Sequence, residues 1–359
     1  MNKLEILQSR LSGIADCGII EDDINRRYFT GMKSSAGTLV VFPEKSYLLI
    51  DFRYIEKARS TVKDCEVMLN NSGTAGTCKT VAELMDRHGA KSYALDDFTC
   101  TLENFKTYKK ALGERKPVAD SRFGKLIREI RSVKTADEIE KMIRAQRVAE
   151  AGLEHMMGFI RPGRTEKEIQ LELDYYMLSH GAEALSFDTI ALAGSNTSLP
   201  HGVPGDKRVE SGEFVLMDFG AVVEGYHSDM TRTVCVGRPS DEMKKVYEIV
   251  LRAQEAAIAG LKAGITGANF DAIARNIIEA EGYGDCFGHS LGHGVGMEIH
   301  EEPYGTPRNP QPLPEGAVET IEPGIYLEGR FGVRIEDFAV VEKDGCKNLT
   351  LAPKELICL

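Results

Sequence analysis

The sequence predicts a mixed α/β (α+β) chain of two domains. Residues 1–122 read as an α/β domain. Residues 123–359 read as a curved antiparallel sheet with helices outside and an approximate internal two-fold. Three observations predict this. In the first third, strand-like runs alternate with helical runs, the pattern of a sheet covered by helices. The second part carries two hairpins of related spacing, each with acids set inside apolar strands. Long amphipathic helices with start signals lie just before or after each hairpin.

In chain order, residues 4–11 form a short amphipathic helix. Residues 39–42 and 47–50 are strands joined by a turn at Pro43, Glu44 and Lys45. Residues 54–61 and 81–88 are helical, and 92–95 form a further strand. Asp51, Arg53 and Tyr54 close a strand with polar side chains. They suit an exposed strand end as well as a reach toward a site or a neighbouring subunit. The basic-apolar stretch 125–130 marks the boundary region. Thr135 with Glu138, and Thr165 with Glu168, have capping-box spacing for two helices, one running to about residue 157 and one stopped by Gly181. Residues 241–261 and 269–281 are two more amphipathic helices, the second ended by Gly282.

Composition narrows the function classes. The chain has 359 residues, 42% hydrophobic and 28% charged, an ordinary globular balance. A net charge of −11 argues against nucleic acid and against a membrane surface as partners. The start, MNKLEILQSR, has charges where a signal peptide needs an apolar core. Eight cysteines without any CxxC fit free thiols in a reducing cytoplasm.

Residues 213–236, EFVLMDFGAVVEGYHSDMTRTVCV, read as two strands around a turn at Glu224 and Gly225. A hairpin centred between Val223 and Glu224 sets Asp218 opposite Asp229. Like charges so placed are destabilising, so something positive is expected between them. Residues 320–340, TIEPGIYLEGRFGVRIEDFAV, repeat the device. Centred on Gly329, this hairpin sets Glu322 opposite Glu336. Histidines join the pattern: His201 in the loop GSNTSLPHG, His289 and His293 in GHSLGHGVG, and His300 in MEIHEEP. Glycines at 288, 292, 294 and 296 exclude a helix there and let backbone or ligand come close. Asp218, Asp229, Glu322 and Glu336 carry four negative charges, which two divalent cations balance. Oxygen-rich ligation with an imidazole suits manganese, cobalt or iron, with zinc also open.

The segments LMDFGAVVEGYHSDMTRT, GHSLGHGVGMEIHEEP and EPGIYLEGRFGVRIED resemble the motifs of the pita-bread metallopeptidases, in that family's order. The group holds methionine aminopeptidase, Xaa-Pro aminopeptidase, prolidase and creatinase. YFTGMKSSAGTLVV and LLIDFRYIEKA are similar to segments of its proline-peptidase branch. The resemblance implies a creatinase-like N-terminal domain and a pita-bread catalytic domain. It implies two metal ions on Asp218, Asp229, His293, Glu322 and Glu336, and a part for Glu322 in handling the nucleophile's proton. By the same resemblance His201 and His300 contact the scissile peptide or its tetrahedral intermediate, and His289 and Arg334 stand behind the ligands. Residues 1–120 argue against methionine aminopeptidase, and the intact ligand positions argue against creatinase-like or metal-free binding members. An Xaa-Pro aminopeptidase is expected, with Xaa-Pro dipeptidase (prolidase) as the alternative. The substrate is then a peptide or dipeptide with proline second. A homodimer is expected too, with one N-terminal domain approaching the other subunit's site.

Overall fold

Several helix starts fall where a side chain caps them. In the computed structural model, which describes residues 2–70 and 73–359, Asn2 and Glu5 form a reciprocal capping box at the first helix, α1 (Lys3–Leu11), which buries Leu4, Leu7 and Leu11. The chain divides into two units, Met1–Arg131 and Ser132–Leu359.

In the first unit β1 (Cys17–Ile20), α2 (Asp23–Thr30), β2 (Thr38–Val41), β3 (Ser46–Ile50), α3 (Ile55–Thr61), β4 (Glu66–Leu69), α4 (Gly73–Arg87), β5 (Ser92–Leu95), α5 (Leu102–Ala111), β6 (Lys116–Val118) and α6 (Arg122–Ser132) follow in order. The six strands form one sheet, β4-β3-β2-β1-β5-β6. The β2–β3 hairpin turns at the expected residues. The helix expected at 81–88 begins earlier, at Gly73. Its first turns hold Gly73, Thr74, Gly76 and Thr77, weak helix formers that conceal it in the sequence. Strands β1, β4 and β6 and helices α2 and α5 were not foreseen. Strands β1, β4 and β6 have four residues or fewer, too short to show a period.

The second unit repeats one plan. Helices α7 (Ala136–Phe159) and α8 (Glu166–Ser179) precede β7 (Ala184–Leu185), β8 (Ile190–Ala193), β9 (Glu213–Phe219), β10 (Ala221–Val223), β11 (Tyr226–His227) and β12 (Met230–Val236). Helices α9 (Asp241–Gly260) and α10 (Gly267–Ala280) precede β13 (Gly292–Gly294), β14 (Glu301–Gly305), β15 (Val318–Ile321), β16 (Gly324–Leu327), β17 (Phe331–Arg334), β18 (Asp337–Val341) and β19 (Cys346–Asn348). Both capping boxes form as the sequence predicts. Gly181 and Gly282 take positive φ just past their helices. The first helix pair packs on Val215, Met217 and Val234 of the first strand set, and the second on Ile321, Val333 and Ala339 of the other. This is the pita-bread arrangement, curved sheet within and helices outside.

The two long hairpins settle the register. In the second, β16 pairs with β17 from Gly324↔Arg334 to Leu327↔Phe331, and β15 with β18 at Ile321↔Asp337. Glu322 and Glu336 therefore face each other at the break between two ladders, as expected for a turn centred on Gly329. The first hairpin differs from expectation. Its turn is centred between Glu224 and Gly225, whose φ values of 51° and 85° are those of a type I′ turn. That register pairs Asp218 with Thr231, so Asp229 is diagonal to Asp218 rather than opposite. The two carboxylates still share a face, because a displacement of two residues preserves side-chain direction.

On the opposite face of β15 lies Glu319, fully buried, with no hydrogen-bond partner for either carboxylate oxygen. Burial pushes its carboxyl well above the usual range, and the Gly305 backbone, outside hydrogen-bond geometry, and Lys134 offset only part of this. Its native state holds a proton that the unfolded chain releases, so its contribution to stability falls as pH rises above the unfolded value. Glu319→Met is expected to raise stability at pH about 8 by about 1–3 kcal/mol, the cost of an unpaired buried polar group. The gain should shrink toward pH about 5. Urea unfolding at both pH values checks it; a variant less stable at the higher pH contradicts it.

Candidate metal centre

The acids stand where the hairpins bend. Asp218 lies near the end of β9, Asp229 just before β12, Glu322 between β15 and β16, and Glu336 between β17 and β18. One backbone and one side-chain contact draw the hairpins together. The Glu336 N–H donates to the Thr231 carbonyl at 3.1 Å, and the Thr231 hydroxyl donates to Glu336 Oε2 at 2.7 Å. The histidine strand β13 attaches on the other side: the His293 N–H donates to Thr320 Oγ1 at 3.0 Å, and the Glu322 N–H to the Leu291 carbonyl at 2.9 Å. The glycines expected to permit close approach do so at 292 and 294, where a Cβ would strike the carbonyls of Thr320 and Glu301, and at 296, where it would strike the Glu301 carboxylate. At Gly288 nothing stands close.

One donor atom each from Asp229, His293 and Glu336 lies within 4.8 Å of the others. His293 Nε2 is 3.6 Å from Asp229 Oδ2 and 3.5 Å from Glu322 Oε1. Asp218 completes the ring of acids. Its Oδ2 accepts from Arg334 Nη2 at 2.6 Å, while its buried Oδ1 has no partner. All nine residues singled out in the sequence, His201, Asp218, Asp229, His289, His293, His300, Glu322, Arg334 and Glu336, line one cavity of about 500 Å³.

The electrostatics are those of a site short of positive charge. Burial first, then the neighbouring acids, raise the carboxyls of Asp229 and Glu336 well above the carboxylate range. Burial pushes Glu322 up to about 8, against the pull of Arg334. Burial lowers His293 to about 3, with His300 adding to the effect. His293 is thus neutral. Its Nδ1 donates to the Gly294 carbonyl at 3.1 Å, which leaves the Nε2 lone pair aimed at the acids. Clustered carboxylates, a free imidazole lone pair and an orphaned Asp218 oxygen fit divalent-cation binding.

Two residues missed by the sequence reading complete the frame. Arg334 donates through Nε to Thr231 Oγ1 at 3.0 Å and through Nη1 to the Tyr326 hydroxyl at 2.8 Å. Thr231 and Tyr326 stand inside the quoted motifs, but only the packed hairpins show what they touch. The loop bearing His201 is tied at both ends to the buried Glu166, which accepts from the N–H groups of Ala193 and Gly205 and from the Asn196 amide. His300 stands on the other side, its ring 4.3 Å from that of His293. Burial lowers its pKa, with Asp218 opposing and His201 reinforcing.

The model of metallopeptidase family M24 matches residues 140–343. The chain belongs to this family. The Creatinase/Prolidase N-terminal domain model matches residues 10–133. The M24 chain is 40% identical to the uncharacterized peptidase YqhT of Bacillus subtilis, over 99% of this chain and all of that protein. It is 38% identical to the Xaa-Pro dipeptidase of Pyrococcus furiosus, over 94% of each. Among solved structures, the Xaa-Pro dipeptidase from Bacillus anthracis superposes with a TM-score of 0.94 at 39% identity, covering 99% of both chains. The X-Pro aminopeptidase from Thermotoga maritima gives 0.91 at 39% identity, covering 98% of this chain and 99% of that one. The protein is therefore a peptidase of a divalent-metal family.

Proposed function

We propose that this M24 peptidase removes the N-terminal residue from peptides with proline second, using two divalent ions, manganese foremost, held by Asp218, Asp229, His293, Glu322 and Glu336. The convergence of these donors in one cavity, with Asp218 Oδ1 unpartnered, carries the reading. Bound divalent ions supply Lewis-acid polarisation and a water activated at neutral pH. The chain's residues do the rest. Glu322, whose carboxyl burial raises to about 8, accepts the attacking water's proton and passes it to the leaving proline nitrogen. His201 and His300 donate hydrogen bonds to the peptide and to charge that develops on its carbonyl oxygen. Arg334 holds Asp218 in place from behind.

The relatives favour a second reading, Xaa-Pro dipeptidase, because that activity names several of them. Hydrolysis of Ala-Pro against Ala-Pro-Ala, with and without manganese, separates the two. Release of alanine from Ala-Pro-Ala at a rate at least equal to that from Ala-Pro supports the aminopeptidase. Cleavage of Ala-Pro alone supports the dipeptidase, and cleavage of neither by metal-loaded protein sinks both. We read the enzyme as a cytoplasmic homodimer, on the family resemblance of its N-terminal domain and on its eight free cysteines. Light scattering that returns a monomer contradicts the dimer.

A further inference from the structure

The hydroxyl of Tyr326 lies between a cation and an imidazole. Its ring lies over two glycines of the β16–β17 hairpin. A Cβ on Gly324 would stand 2.5 Å from the hydroxyl, and one on Gly332, the cross-strand partner of Tyr326, 2.8 Å from the ring. Neither position tolerates a side chain while the ring lies there.

The direction of each hydrogen bond follows from what the groups carry. The Ser290 carbonyl only accepts, so His289 Nδ1, 2.8 Å away, bears a hydrogen. Arg334 only donates, so its Nη1 gives a hydrogen to the Tyr326 oxygen at 2.8 Å. The hydroxyl's own hydrogen is left for His289 Nε2 at 2.9 Å. Burial, with the Arg334 charge adding to it, pushes this imidazole down to about 4, so Nε2 is free to accept. The chain of donors thus runs one way, from Arg334 through Tyr326 and His289 to the Ser290 carbonyl. His289 lines the cavity, yet both its nitrogens are occupied.

We infer that Tyr326 is a positioning residue that locks His289 as a neutral imidazole, so that His289 walls the cavity without exchanging a proton with substrate. The same hydroxyl is one of three anchors of the Arg334 guanidinium, whose others are Asp218 and Thr231. Removing it leaves two buried groups short of a partner and frees the guanidinium that orients Asp218.

The experiment is ¹⁵N-histidine NMR of the full chain loaded with a diamagnetic divalent ion. One histidine, assigned by its loss in His289→Gln, should stay neutral with hydrogen on Nδ1 from pH about 6 to 8, above its lowered pKa. In Tyr326→Phe its Nε2 resonance should shift, and kcat should fall about tenfold or more, the size of one buried hydrogen bond, at unchanged metal content. A His289 signal that titrates in that range overturns the inference even if the variant fails to fold. An unmoved Nε2 resonance or full turnover in Tyr326→Phe overturns it too. The inference rests on the proposed function only for its kinetic arm. A parent enzyme without Xaa-Pro cleavage refutes that function, and the NMR result stands apart from it.

Discussion

Glu336→Ala is expected to abolish turnover and to lower bound divalent metal in the same preparation. Glu336 is 2% exposed, and its Oε2 is committed to the Thr231 hydroxyl. Its place among the donor atoms with Asp229 and His293 makes it a link between the two hairpins. Without it the acids lose a quarter of the charge that would hold two cations. The raised carboxyls add a pH signature. Protons and metal compete for the same oxygens, so metal binding releases protons and strengthens as pH rises. With Glu322 pushed up to about 8, raising pH from about 6 to 8 should tighten metal binding by the parent, and a chelator should remove it more readily at the lower pH. Metal analysis beside a hydrolysis assay decides it. An Ala variant with full metal content and near-normal turnover would remove Glu336 from the site.

His201→Ala and His300→Ala should each cost about 10²–10³ in kcat, the usual loss for one hydrogen-bond donor to a developing oxyanion, with metal content unchanged. Neither histidine is committed to the acids as His293 is. His300 is packed against the His293 ring, and His201 projects from a loop tied down by Glu166. A histidine that only packs in the cavity wall would lose little turnover when truncated. The separation from Glu336→Ala is therefore clear: one class of variant loses metal and activity together, the other activity alone. If either histidine variant keeps near-full turnover with normal metal content, that residue makes no catalytic contact.

Most of the candidate site, as a set of residues lining one cavity, was legible because those residues violate local rules. Acids inside apolar strands, and glycines in a histidine-bearing segment, are costly unless something compensates them. The helix starts of the second unit were legible for a different reason. A capping box is a contact between residues three apart, and Thr135, Glu138, Thr165 and Glu168 make theirs without help from the rest of the chain. The register around Gly329 was legible too, since the acids and the Glu-Gly turn share one centre of symmetry. Around Glu224 the same reasoning failed by two residues. It assumed the acids to be opposed, whereas the type I′ turn, with positive φ at both central residues, set the pairing. In the first unit the short strands β1, β4 and β6 carried no period to read.

The sequence by itself determined the helix starts capped by Thr135 and Thr165, the turn centred on Gly329 and the set of acids and histidines proposed to bind metal. Each depends on chemistry within a few positions, which any stretch of chain carries with it. Only the tertiary structure decided which carboxylate oxygen is left free, which donor Arg334 gives to which partner, and that Tyr326 occupies Nε2 of His289 while the Ser290 carbonyl occupies Nδ1. Hydrogen bonds are directional, and the partners of Arg334 lie 8 to 116 positions away. Their assignment follows from how two bent hairpins and a glycine-rich segment meet, which no local pattern encodes.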